Sequence, residues 1–415
     1  KTGVYGVLRT TMYLPVGETL ATAGVILLGA GIVTGLWGVL LAAMQNDIKR
    51  LLAYSSIENV GIIFIAIGVA LLGRSAGNDA VALCGMAGAL LHTLNHSFFK
   101  SLLFFGAGNL YAEAHTTALD RFGGVARQMP VTAILFLVST AAICALPPLN
   151  GFVSEFIIYT GMFRSIAEGQ QVLLAAAGVT ALALIGGLAL FAFTKLYGIV
   201  FLGAPRTHEV AEMHEADNYR IAAMALPAAG ILFIGLLPWT VLPLLTKVAT
   251  TLLPGLGAGR QPAAELPLWA GLTQITLVAT VLIAATVLLL VAKRRARRTV
   301  ASGPTWGCGF TAVNTRMQYT GESFVEGLES IVHPFTEEVV EGKAVDKQEI
   351  FPSAHDFDIR RKDRVARLFS AWWVESLRLL NARVMRLRTG KINHYILFAL
   401  LFIVLVFLCS ILNLL

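Results

Sequence analysis

Two histidines and a lysine, His92, His96 and Lys100, recur every four residues in Leu90-Leu91-His92-Thr93-Leu94-Asn95-His96-Ser97-Phe98-Phe99-Lys100-Ser101-Leu102-Leu103. Each step of four drifts by about 40° around an α-helix, so the three side chains form one stripe about 12 Å long. An imidazole can take a proton on one nitrogen and release it from the other near neutral pH. The flanking residues are too apolar for a soluble helix. Ionisable groups at membrane depth face a bundle interior or a hydrated path. The stripe therefore reads as a proton-pathway candidate. Snorkelling is the simpler reading of one lysine beside Phe98 and Phe99, and a single membrane histidine often serves as a satisfied donor. Lys100 lies about 20 residues into its segment, which argues for depth.

Other ionisable groups fall in apolar surroundings. Leu146-Pro147-Pro148-Leu149-Asn150-Gly151 interrupts the long segment 130–162. Pro147 and Pro148 remove backbone donors, and Gly151 frees the dihedral angles, so a broken helix is expected there. Such breaks are tolerated at membrane depth where protein or a hydrated cavity surrounds them, and they mark ion sites in transporters. Glu155 follows the break and reads either as a protonatable site or as a cap of the second half-helix. Glu58 lies two turns into its span and reads as a network member or a local structural acid. Lys195, near the end of a span, reads as a path residue or as a snorkelling side chain. Lys1 opens a helix-like run, Thr2-Gly3-Val4-Tyr5-Gly6-Val7-Leu8, and would sit inside a membrane helix of a longer chain.

These groups need a membrane bundle to position them. Of 415 residues, 56% are hydrophobic and 14% charged, which indicates a polytopic membrane protein. The absence of an initiator Met or signal peptide suggests a piece of a longer chain. Cys84, Cys144, Cys308 and Cys409 form no CxxC pair, so neither iron–sulfur nor zinc ligation is expected. His208 and His214 lie with Glu209, Glu212 and Glu215 in an acidic loop without a metal-binding motif. No phosphate-binding or dinucleotide fingerprint is present, so no cofactor is expected. The net charge of +7 reads as loop bias in a membrane protein rather than as a nucleic-acid surface.

About nine spans are expected, near 1–14 (partial), 19–44, 49–72, 80–110, 130–162, 171–202, 220–246, 267–292 and 393–415. The loops holding Lys49, Arg50, Arg121, Arg127 and Arg206 share a side with the basic connection 293–392. By the positive-inside tendency that side is cytoplasmic and the C-terminus lies outside. Residues 300–358 of that connection read as polar and irregular. Residues 359–391 read as an amphipathic surface helix with Trp372 and Trp373 at headgroup level, and 392–415 as a transmembrane anchor.

Three motifs in order carry a resemblance: Asp47-Ile48-Lys49-Arg50-Leu51-Leu52-Ala53-Tyr54-Ser55-Ser56, His92-x-x-x-His96-x-x-x-Lys100, and Leu146-Pro147-Pro148-Leu149-Asn150-Gly151-Phe152-x-x-Glu155. Over about residues 1–250 the chain resembles the antiporter-like proton-pumping membrane subunits of complex I, Mrp antiporters and membrane-bound hydrogenases. Thr305-Trp306-Gly307-Cys308-Gly309-Phe310 and Arg316-Met317-Gln318-Tyr319-Thr320 are similar to the branch of hydrogenase-4 component B and formate hydrogenlyase subunit 3.

The resemblance implies an all-α polytopic membrane protein. Residues 1–14 would end a first inverted repeat, and 15–202 would form the second five-helix repeat, with its broken helix at 146–151. Further transmembrane helices would fill 203–292, followed by the cytoplasmic connection, surface helix and anchor. It also implies a proton pathway through Lys1, His92, His96, Lys100 and Glu155, with Glu58 and Lys195 as the further candidates read from their own surroundings. The implied partners are other membrane subunits, an indirectly coupled nickel–iron hydrogenase or dehydrogenase arm with iron–sulfur clusters, protons or Na⁺, and lipid of a prokaryotic inner membrane. A redox-free Mrp-type antiporter subunit and a scaffold with a vestigial channel are the alternatives.

The charge asymmetry yields a topology test. With the four native cysteines replaced by serine, Ser302→Cys in right-side-out vesicles is expected to react slowly with a membrane-impermeant maleimide. Fast labelling reverses the assignment.

Overall fold

The computed structural model describes residues 1–253, 268–295, 309–310, 312, 314–333, 336–342, 357–385 and 392–411. They fall into two units, Lys1–Val332 and His333–Leu415. The first unit begins with α1 (Thr2–Thr11), α2 (Glu18–Met44), α3 (Ile48–Ser75) and α4 (Asp79–Ala114). A broken pair follows, α5 (Pro130–Ile143) and α6 (Asn150–Ala167), then α7 (Val172–Phe201) and the short α8 (His208–Ala211). The unit continues with α9 (Asn218–Leu236), α10 (Pro238–Leu252), α11 (Leu268–Arg295) and α12 (Gly321–Val332). Among the described residues five helical stretches are long and apolar enough to cross a membrane: α2, α3, α7, α9 and Gly271–Lys293 of α11. At 36 residues α4 is longer than any of these, but polar groups interrupt its middle.

Side chains that favour caps set the helix starts. Asp47 accepts from Arg50 N at 2.9 Å, Asn78 from Val81 N at 3.1 Å, and Asp217 from Arg220 N at 2.9 Å; each satisfies a first-turn donor. The acidic loop before α9 serves α5 in the same way: Glu215 accepts from Val131 N at 2.7 Å and from the Thr132 hydroxyl at 2.6 Å.

The closest seam joins α2 to α3. A Cβ on Gly61 would stand 2.4 Å from Gly35 N, and one on Gly38 would stand 2.4 Å from Glu58 N. Backbone lies against backbone there, as small residues allow in membrane bundles. This contact holds Glu58 in the interior.

The break in the fifth span covers residues 144–149, slightly before the expected 146–151, with Pro147 and Pro148 inside it. Gly151 corrects the expectation, because it lies in the first turn of α6 rather than in the break. Its small size serves close approach: a Cβ there would meet the Ala142 carbonyl at 1.9 Å.

The span expected at 220–246 is also broken. Leu237 alone separates α9 from α10, and Pro238 opens α10. Met224 meets Asn109 of α4, Gly230 meets Phe98, and Ile234 and Leu242 share a cluster with Leu91 and Cys84. The two helices thus run in one direction along α4. Gly235, just before this second break, packs on Pro148, Leu149 and Asn150, so the two breaks meet.

Residues 300–358 are not irregular throughout, because α12 and a strand fall within them. The Gln318 carboxamide mimics a peptide unit, accepting from Ala204 N at 2.9 Å and donating to Ala204 O at 3.1 Å. Gly321 N donates to Asp120 at 2.6 Å, Asn46 donates to Glu322, and Phe324 meets Phe191 edge-on. Val325 and Val332 of α12 bury against Met44, an apolar spacing that seats the helix on α2.

The second unit holds the antiparallel strands β1 (Thr336–Gly342) and β2 (Phe357–Asp363), then α13 (Arg364–Met385) and α14 (Ile392–Ile411). The expected helix 359–391 therefore starts at Arg364. Residues 359–363 pair as strand instead, with Lys362 and Arg361 in register with Glu337 and Glu338, a cross-strand charge match that favours the ribbon. The expected 386–391 part lies outside the described residues, as do Ser302 and the Thr305–Cys308 part of the Trp306 motif. Leu368, Trp372, Trp373 and Leu377 of α13 are exposed.

The α2–α3 seam generates a stability prediction. Gly61→Leu would drive a side chain into the backbone of α2, at a cost above the roughly 1–3 kcal/mol of ordinary overpacking. Loss of monodisperse protein in detergent is expected. Gly29→Leu, with nothing within 4 Å of its Cβ position, is expected to leave the yield unchanged.

Candidate proton-transfer site

Lys100 is held on α4 against the first turns of α3. Its ammonium donates to the Leu52 carbonyl at 2.7 Å and to the Ser55 hydroxyl at 2.5 Å. Ser55 Oγ in turn lies 3.2 Å from the same carbonyl. The side chain is buried, so it does not snorkel.

One turn earlier, His96 Nδ1 contacts Nζ of Lys1. Its other nitrogen, Nε2, is buried without a protein partner. The Phe99 ring stands edge-on to His96 at 5.4 Å between centroids. A further turn back, His92 bridges two helices: Nε2 lies 3.1 Å from Asn59 Oδ1 of α3, and Nδ1 lies 3.0 Å from Ser154 Oγ of α6. Asn95 donates to the Asn150 carbonyl at 2.6 Å and to Ser154 Oγ at 3.1 Å, which ties α4 to the start of α6.

Glu58 and Glu155 complete the cluster, and both are buried. Glu58 precedes Asn59 and Glu155 follows Ser154, the two residues that His92 bridges. The fold thus gathers Lys1, Glu58, His92, His96, Lys100 and Glu155 at the junction of α1, α3, α4 and α6. Buried polar atoms without a protein partner occur in the same region: Glu58 Oε2, Asn95 Oδ1 and both side-chain polar atoms of Asn150.

Lys195 stands apart. Its ammonium donates to the carbonyls of Ala43 at 2.6 Å and Gln45 at 2.7 Å, with Asn46 Oδ1 at 3.4 Å. It is a buried cation on the C-terminal carbonyls of α2, where the helix dipole favours positive charge. Sequence reasoning passed over Ser55, Asn59, Asn95 and Ser154 as site residues. Ser55 and Asn59 stand at i, i+4 in an apolar helix, a spacing that could have flagged them.

These observations define a helical protein of apolar spans with buried ionisable side chains gathered beside a broken helix. Residues 1–186 match the profile of the NADH:quinone oxidoreductase/Mrp antiporter transmembrane family. It is 43% identical over 240 residues to hydrogenase-4 component B of Escherichia coli K12, covering 57% of this chain and 36% of that one. It is 41% identical over 211 residues to formate hydrogenlyase subunit 3 of the same strain, covering 50% and 34%. The chain thus spans about a third of the length of these curated relatives. A subunit of an archaeal membrane-bound sulfane sulfur reductase shares the fold, with a TM-score of 0.61 at 22% identity over 99% of this chain and 61% of that one.

The contacts of Lys195 predict a structural role. Lys195→Met strips a charged donor from two buried carbonyls and is expected to cost about 2–3 kcal/mol of stability, read as a lowered Tm of the purified protein. Proton translocation per assembled complex is expected to persist. Loss of translocation at unchanged Tm would instead make Lys195 a carrier.

Proposed function

We propose that this chain is part of a proton-translocating membrane subunit of a hydrogenase-type or complex I-like assembly, in which electron transfer in partner subunits drives proton movement. The observation that supports this most is the cluster of buried His96, Lys100, Glu58 and Glu155 beside the broken helix, with Lys1 in contact with His96. Lys1 and His96 form a donor–acceptor pair. Lys100 exchanges its proton on the Ser55 side. Glu58 and Glu155 bring two carboxylates to the α6 half-helix. The partnerless polar atoms between them suit a water chain, since buried polar groups of this kind bond to ordered water.

The partners proposed are further membrane subunits, a nickel–iron hydrogenase or dehydrogenase arm acting at a distance, and lipid of a prokaryotic inner membrane. The transported ion is the proton, with Na⁺ as the alternative cargo. The chain's residues supply only acid–base groups. Moving one charge against 100 mV costs about 2.3 kcal/mol, so the proton affinities of the cluster must change during turnover by at least that amount. Redox events in partner subunits would supply the change as a shift in local charge.

The test uses the full assembly in proteoliposomes, with proton uptake measured alongside reaction rate. Lys100→Ala and Glu155→Gln are each expected to cut the proton-to-electron ratio to near zero. Lys100→Arg is not expected to restore it, because a guanidinium keeps its proton at any physiological pH. An intact ratio in Lys100→Ala would remove Lys100 from the path and end this reading.

A further inference from the structure

The proposed function leaves open which imidazole carries the proton, and a role for either ring presupposes that function. Asn59 Nδ2 lies 2.7 Å from the Ser55 carbonyl, an oxygen that can only accept. That contact orients the amide, so Asn59 turns Oδ1 toward His92. Oδ1 can only accept as well, so His92 Nε2, 3.1 Å away, must hold a hydrogen. On the other side of the ring, Nδ1 faces Ser154 Oγ at 3.0 Å. The Ser154 hydroxyl receives from Asn95 at 3.1 Å and has a second acceptor, the Gly151 carbonyl, at 2.9 Å. It can therefore turn to suit either state of Nδ1.

To pass a proton, an imidazole must receive on one nitrogen and release from the other. Release from Nε2 would set a lone pair against the Asn59 oxygen, and an amide has no proton to return. Turning Asn59 over would break its bond to the Ser55 carbonyl. His96 differs, because Nδ1 faces Lys1 and Nε2 has no protein partner, so both nitrogens are usable.

We propose that His92 is a positioning residue: it clamps Ser154 of α6 to Asn59 of α3, and the translocated proton does not cross its ring. Asn59 follows Glu58 and Ser154 precedes Glu155 in the chain, so the clamp fixes the separation of the two carboxylates. His96 is the imidazole through which the proton passes.

Glutamine separates the two roles, because its amide can donate to Asn59 and accept from Ser154 but cannot carry a proton. In the assembled complex in proteoliposomes, His92→Ala is expected to lose most of the proton-to-electron ratio, and His92→Gln to recover it. Asn59→Leu is expected to match His92→Ala, with the double variant no worse than either. A glutamine variant as damaged as the alanine variant would make His92 a carrier and overturn the proposal, and so would a harmless His92→Ala. Loss of the ratio in Lys100→Ala alongside either result leaves the underlying function standing. Should the variants fail to assemble, ¹⁵N-histidine NMR of the native complex decides: Nε2 is expected to be protonated at rest and in turnover, and a bare Nε2 in either condition overturns the clamp.

Discussion

A lysine ammonium can sit inside a membrane bundle only where protein oxygens replace its hydration shell. Lys100 finds them in the Leu52 carbonyl and the Ser55 hydroxyl, and that demand fixes how α4 packs on α3. Leaving a charge unpaired in hydrocarbon costs several kcal/mol on insertion scales and more on an isolated helix. The register between these two helices is therefore set by polar chemistry as much as by apolar packing. The same register brings His92 to Asn59 and places Glu58 close enough to interact with Lys100.

Backbone proximity does the remaining positioning. Gly35, Gly38 and Gly61 let α2 and α3 touch without side chains between them, so the face of α3 with Glu58 is sealed from lipid by another helix. On the far side of α4 the two broken spans meet, with Gly235 against Pro148 and Leu149. Irregular backbone at membrane depth is tolerated where it is buried in protein, and here each break covers the other. The start of α6, with Ser154 and Glu155, is thereby held at a fixed depth beside the stripe on α4.

The sequence carried the stripe openly, because its signal is local: three ionisable residues at one helical spacing inside an apolar run. The proline break was legible for the same reason. The break at Leu237 was not, since Pro238 is one of three prolines in the apolar segment 220–246 and the other two, Pro227 and Pro243, lie within helices; only packing against the first break shows its place. Residues 359–363 of β2 were misread as helix because their partner lies at 336–340, and charge matching across strands leaves no helical or alternating pattern in either one. Asn59 and Ser154 were passed over because their meaning depends on a histidine 33 and 62 residues away. Lys195 stayed open between a path residue and a snorkelling side chain because the carbonyls that hold it, of Ala43 and Gln45, lie 152 and 150 residues earlier in the chain.

Lys100 and Lys195 show that burial alone does not identify a proton carrier. Both are lysines inside apolar helices, and both are satisfied by backbone carbonyls. Lys195 donates to the carbonyls of Ala43 and Gln45 at the end of α2, oxygens that can only accept. Lys100 has one carbonyl and one hydroxyl, and the hydroxyl can donate as readily as accept. When the Lys100 proton departs, Ser55 can turn its hydrogen toward the free amine and keep the contact. A neutral Lys195 would face carbonyls with no hydrogen to offer. On the proposed function, the distinction between a carrier and a cap lies in whether the partner oxygen can reverse its role, a property that the hydroxyl of Ser55 has and the carbonyls around Lys195 lack.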